Sequence, residues 1–253
     1  MSIAEKIARA KADYDEVYEA GYAKGQAEGG DTTEAYNEAL SAVWDEIQLH
    51  GTKTNYATAF KGWTNERVFR PVHDMNATGV AQMFEGAKIT DLKGILEAQG
   101  VTLDCTDAIN LYFFAVGSTI TRFPAIVSPK TVNIQRAFHN TPVVSIDLLG
   151  VSTTTQCSFL QCFVGCTELV EIRFVAPFIP NELDMKSCKK LSHDSLMSLI
   201  NALHPDTGGS ITVSLAAVNS AFRSEDAWFD DGADTIEWHN LIATKNNWTI
   251  NLV

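Results

Sequence analysis

The apolar positions of the chain repeat one short pattern four times. Met83-Phe84-Glu85-Gly86-Ala87 leads to Ile89 and Leu92, and Phe113-Phe114-Ala115 leads to Ile120 and Phe123. Ala137-Phe138-His139-Asn140 leads to Val143 and Ile146, and Cys162-Phe163-Val164-Gly165-Cys166 leads to Leu169 and Ile172. The phenylalanines stand at 84, 114, 138 and 163, so the steps are 30, 24 and 25 residues, and the later apolar residue follows by 8, 9, 8 and 9. A period of this size with a fixed internal offset predicts a stacked solenoid, in which each unit buries the apolar face of the next. Short parallel strands are expected at Leu92, at Phe123, at Ile146/Leu148, at Ile172/Phe174 and at Ile211/Val213/Leu215. Strand side chains alternate, so Asp147, Arg173, Thr212 and Ser214 are expected outward, as candidate contact residues of a ladder face.

Helical spacing governs the flanks. Ile3, Ile7, Ala10, Tyr14, Val17 and Gly21 recur at steps of 4 and 3, an a/d stripe that predicts self-association, a trimer in a fibre-like component. Gly21, Gly25 and Gly29 extend the small positions at four-residue spacing. Glycine there serves a close helix contact or a fraying linker equally well. Asp31-Thr32-Thr33-Glu34 caps a second helix with Tyr36, Leu40, Val43, Trp44 and Ile47 on its apolar face. Residues 51–75 read as an aromatic connector with a hairpin, and Ser192 starts a helix that Pro205 ends. A last helix over 233–246 and the strand Trp248–Leu252 are expected to close the open end of the ladder. The expected organisation is therefore 1–50 for docking or oligomerisation, 51–75 as connector and cap, 76–222 as solenoid and 223–253 as C-terminal cap.

Charge narrows the partners. Of the net −12, residues 1–50 hold eleven acidic and four basic side chains, and residues 223–240 hold six acidic and one basic, so the rest sums to zero. No basic stripe exists to neutralise phosphates, which argues against nucleic acid and against an anionic membrane surface. The longest apolar runs are far shorter than the ~18 residues of a membrane helix, and Met1–Arg9 lacks the apolar core of a secretion signal.

Candidate chemistry is sparse. Cys157, Cys162 and Cys166 leave four and three residues between them, without a second tight pair or a histidine at ligand spacing, so buried small hydrophobes are favoured over a metal site. His193-Asp194-Ser195 are sequence neighbours, whereas a catalytic triad is assembled from separate elements, and helix capping explains them better. Asp226, Asp230, Asp231 and Asp234 lack the ligand spacing of a calcium loop. No catalytic residue, metal or cofactor is expected.

The unit Phe–small or Cys–Leu–Ile at periods in the mid-twenties resembles the BspA-like leucine-rich repeats. The stretch Leu191–Leu203, then Thr207-Gly208-Gly209, then Leu241–Ile250 looks like the closing module of such proteins among tail, baseplate and other structural proteins of bacteriophages and prophages of gut Firmicutes. The resemblance implies an α+β fold: a leucine-rich-repeat-like solenoid with a short parallel strand ladder, preceded by N-terminal helices and closed by a helix–strand cap. It further implies a non-enzymatic virion protein made in the host cytoplasm. Its partners would be other virion proteins and a host surface glycan or protein. A purely structural capsid or tail decoration, or a bacterial surface adhesin, are the alternative readings.

Overall fold

The structure, a computed structural model, describes residues 54–64, 66, 69, 71, 74–151, 156–175, 177–222, 236–245 and 247–253, together with Arg9 and Ala12, both helical. The stripe Ile3, Ile7, Ala10, Tyr14, Val17, Gly21 and Gly25, the capped helix after Asp31 and the acidic stretch 223–235 lie outside the described residues. The fold is α+β, with short strands that pair in parallel throughout.

Five similar turns organise the chain, over 57–62, 81–86, 112–117, 135–140 and 160–165. Each of the first four gives three backbone N–H groups to carbonyls of the next. Thr58, Phe60 and Gly62 donate to Ala81, Met83 and Glu85, and Gln82, Phe84 and Gly86 donate to Tyr112, Phe114 and Val116. Phe113, Ala115 and Gly117 donate to Gln135, Ala137 and His139, and Arg136, Phe138 and Asn140 donate to Leu160, Cys162 and Val164. To offer alternate N–H groups to one side, the chain turns left-handed at Thr58, Gln82, Phe113, Arg136 and Gln161, with φ between 55° and 63°. Each such residue costs roughly 1–2 kcal/mol. Three hydrogen bonds at about 1 kcal/mol each offset it.

Inside these turns the phenylalanines meet in sequence. Phe60 stacks on Phe84 at 5.4 Å, Phe84 meets Phe114 edge-on at 5.4 Å, Phe114 meets Phe138 at 6.2 Å, and Phe138 stacks on Phe163 at 5.6 Å. A second buried row, Tyr56, Val80, Leu111, Ile134 and Phe159, enters each turn two residues before the left-handed position. The cysteines fit the same frame. Cys162 occupies the position of Ala59 and Ala137, and Cys166 that of Ala87, Ser118 and Thr141; all are buried. The Cys166 Sγ lies 2.9 Å from the Phe138 carbonyl oxygen.

Three sheets flank the turns. β1 (Thr54–Asn55), β2 (Met75–Gly79) and β3 (Leu103–Asp104) form the first in that order. β4 (Ile126–Val127), β5 (Ser145–Leu149) and β6 (Glu171–Phe174) form the second, and β7 (Glu182–Met185), β8 (Gly209–Val213) and β9 (Trp248–Leu252) the third. Single bridges at Arg122, to Asp91 on one side and Ser145 on the other, continue the pairing between strands. Helices α1 (Leu92–Gln99), α2 (His193–Ala202), α3 (Leu215–Phe222) and α4 (Ile236–Ala243) occupy the remaining connections. β8 begins where a Cβ on Gly209 would lie 2.7 Å from the Trp248 ring and 2.9 Å from the Asn181 oxygen, so only glycine lets β7 and β9 close on it.

Several expectations are corrected. Leu92 opens α1 instead of a strand, because the Asp91 carboxylate accepts the Gly94 N–H at 2.8 Å and nucleates a helix that left-handed Gly100 ends. This inserted helix is why the first step between phenylalanines is long. Leu215 likewise starts α3, and Ser214 is 1% exposed with its carbonyl accepting from Ala217 and Val218, so it is a buried helix start and no outward contact residue. The connector holds no hairpin among its described residues: β1 runs parallel to β2, and Phe60 begins the aromatic column one turn earlier than the pattern at Phe84.

Candidate functional site

An open groove of about 750 Å³ crosses the outer face of β5 and β6 between α1 and α2. Its size falls in the range of ligand-binding clefts. The floor follows from strand register. Ser145, Ile146 and Asp147 stand opposite Glu171, Ile172 and Arg173. Ile146 and Ile172, each 3% exposed, form the buried base of the floor, and the more exposed Ser145, Asp147, Glu171 and Arg173 on either side of them also line the groove. Asp147 Oδ2 accepts from Arg173 Nη2 at 2.9 Å across the strands. The two side chains are 40% and 60% exposed, so both remain accessible to a ligand.

The walls are helical. Lys93, Leu96 and Glu97 of α1 form one side, and Asp194, Ser195 and Ser198 of α2 form the other. α2 also ends the strand pairing. β6 would present unpaired N–H groups at its far edge, a state that folded proteins cover. Ser195 Oγ accepts the Ile172 N–H at 2.9 Å and donates to the Val170 carbonyl at 3.0 Å. Ser198 Oγ accepts the Phe174 N–H at 3.0 Å and donates to its carbonyl at 3.3 Å. Two hydroxyls, 3 residues apart on one helix face, thus stand in for the next strand. Ser192 caps the helix, its Oγ accepting the Ser195 N–H at 3.2 Å and donating to Glu171 Oε2 at 3.1 Å.

The Ser195 hydroxyl is committed to the edge of β6 by these bonds. The His193 ring packs on Phe222 at 4.7 Å, and the Asp194 side chain is 95% exposed. The thiols are also held in their neutral form. Burial pushes Cys105 and Cys157 up to about 12 and Cys166 to about 11, and it raises Cys162 and Cys188 as well. Among the described residues, no group of three or more His, Cys, Asp or Glu side chains is disposed to hold a metal ion, and no helix is long and apolar enough to cross a membrane.

Of the four outward residues expected from the sequence, Asp147 and Arg173 are brought together in the groove. Thr212 is half-buried on β8 in the third sheet, between Asp184 and Asn251, and does not line it. The α1 wall and the serine pair of α2 were not anticipated. The Asp91-Leu-Lys-Gly94 cap signals the first, whereas nothing in the spacing of Ser195 and Ser198 tells a strand cap from an ordinary helix face. No protein-family model matches the chain, and neither a curated protein nor a solved structure matches it.

Proposed function

We propose that the protein is a non-enzymatic recognition component of a bacteriophage particle. Residues 76–253 would form a leucine-rich-repeat-like solenoid whose strand face binds a host surface glycan or protein. The observation that carries this reading is the Asp147–Arg173 row between two helical walls. Charged and hydroxyl groups stand side by side on a rigid strand floor, at a spacing set by the strand separation of ~4.8 Å. Such a row offers alternating donors and acceptors to a polar polymer. The five hydrogen-bonded turns and the continuous aromatic column support the stacked architecture, since each unit's core is completed by its neighbour. The virion setting rests on the resemblance of the C-terminal module.

The test compares the full chain with an Asp147→Ala/Arg173→Ala variant on an array of bacterial surface glycans and envelope proteins, with hydrogen exchange read on the bound form. Binding that protects the backbone of 145–147 and 171–173 and is lost in the variant is the expected result. Retention of all binding by the variant would overturn the assignment of the face. The variant is a fair probe because an exposed pair of this kind contributes only ~0–1 kcal/mol to stability.

A further inference from the structure

A second surface lies on the flank formed by the left-handed turns, away from the strand floor. Arg136 there differs from the other described arginines that form ion pairs. Arg122 is paired with Asp91 and Arg173 with Asp147, each at 2.9 Å. Arg136 has no carboxylate partner among the described residues. Neutral groups hold it instead. Its Nε donates to Gln161 Oε1 at 2.5 Å, its guanidinium carbon lies 5.4 Å from the centre of the Phe113 ring, and its backbone N–H is bonded to the Leu160 carbonyl. With Nε occupied, the two terminal nitrogens keep the fork that matches a planar oxyanion in two parallel hydrogen bonds.

The surroundings say what would carry that oxyanion. The Tyr112 and Phe113 rings stand 4.2 Å apart and half-buried on the preceding turn, and Leu160 is 41% exposed on the following one. Gln135 and His139 flank Arg136 on its own turn, and both are partly exposed. Burial and the Arg136 charge both push the His139 pKa down, so the ring is a neutral polar neighbour. Aromatic rings beside planar hydrogen-bonding groups and one oriented cation suit a sugar: its apolar face lies on a ring and its hydroxyls meet the amides.

We infer that Arg136, oriented by Phe113 and Gln161, anchors an acidic saccharide: a sugar bearing a carboxylate or a phosphate. This site is separate from the strand-face groove and goes beyond the recognition role proposed for it. Four probes are titrated into the full chain with NMR detection of the arginine Nε–H: a uronate tetrasaccharide, a polyol-phosphate oligomer, the carboxyl-reduced tetrasaccharide and an acidic hexapeptide. The expected result is saturable binding of one or both acidic carbohydrates that shifts the Arg136 signal, with the reduced sugar at least about tenfold weaker, the loss expected for a charge-assisted pair. Arg136→Gln should weaken that binding by about tenfold or more, and Arg136→Lys, which keeps the charge and loses the fork, by several-fold. Asp147→Ala/Arg173→Ala should leave it unchanged, which separates failure of this site from failure of the groove. Should Arg136→Gln fail to fold, Arg136→Lys and the wild-type Nε–H shift carry the decision. Equal binding of acidic and reduced sugars, preference for the peptide, an unshifted Arg136 signal, or no binding of any probe at millimolar concentration overturns the inference.

Discussion

Replacing Phe138 with alanine tests the architecture at its centre. Phe138 is fully buried and touches Phe114 at 6.2 Å, Phe123 at 5.2 Å and Phe163 at 5.6 Å, the last with ring planes only 9° apart. Truncating a buried Phe to Ala costs about 3–5 kcal/mol, depending on how far the surroundings collapse into the hole. Here collapse is resisted on both sides: Ala115 N–H is bonded to the Ala137 carbonyl and Phe138 N–H to that of Cys162, which fixes the spacing of the neighbouring turns. The upper part of the range, about 4–5 kcal/mol, is therefore expected. At about 2–4 °C per kcal/mol for a chain of this size, that lowers the melting temperature by roughly 8–20 °C. Urea unfolding of Phe138→Ala, Phe163→Ala and the double variant should give a coupling of about 0.5–1.5 kcal/mol for this stacked pair. Phe60→Ala with Phe163→Ala should instead be additive within about 0.5 kcal/mol, since three rings separate them. A loss under about 2 kcal/mol for Phe138→Ala, or equal coupling for the near and far pairs, would refute a column in which each turn rests only on its neighbours.

Other changes probe the turns, the strand edge and the thiols. Gly165 has φ 79° and its added Cβ would lie 2.0 Å from Asn140 Oδ1, so Gly165→Ala should destabilise by about 1–3 kcal/mol in thermal unfolding. Asn140→Gly, which removes that side chain at φ 55°, should be neutral or stabilise by up to ~1 kcal/mol. Ser195→Ala strips the Ile172 N–H of its acceptor and should cost about 1–3 kcal/mol, with faster hydrogen exchange at Ile172 while Ser198 still protects Phe174. The raised thiols of Cys105 and Cys157 predict slow labelling by maleimide in the native state. They also predict alkaline destabilisation: the unfolded thiol ionises from about 9 and the folded one near 12, so stability present below 9 is lost between those values. Denaturant midpoints measured across that interval check the sign, and a flat profile would contradict it.

The phenylalanines at 84, 114, 138 and 163, strands β5, β6 and β9, and helix α2 with its Ser192 cap are legible because their signals are local. They consist of a recurring large apolar residue, a two-residue alternation and a capping side chain ahead of an apolar stripe. The first turn is less visible: Phe60 lies among aromatics with no Ile/Leu alternation downstream, although Asn55, Asn110 and Asn133 enter their turns alike. Each accepts the N–H two residues on at 2.7–2.9 Å. Asp147 and Arg173 could be assigned to one face, since alternation fixes which way a strand residue points.

What the chain alone determined is the rhythm of its buried residues, and with it the neutral middle between two acidic ends. Only tertiary structure decided what that rhythm encloses. Leu92 turned into a helix start because the Asp91 cap outweighed apolar spacing that serves strand or helix equally, and Leu215 starts a helix whose first N–H groups bond the Ser214 carbonyl. Ser195 and Ser198 became the lid of a strand edge, and Arg136 came over Phe113, through contacts spanning 23 to 25 residues. Such contacts depend on how successive turns are held against one another, which is set by hydrogen bonds between the turns and is not encoded in the residues of any one turn.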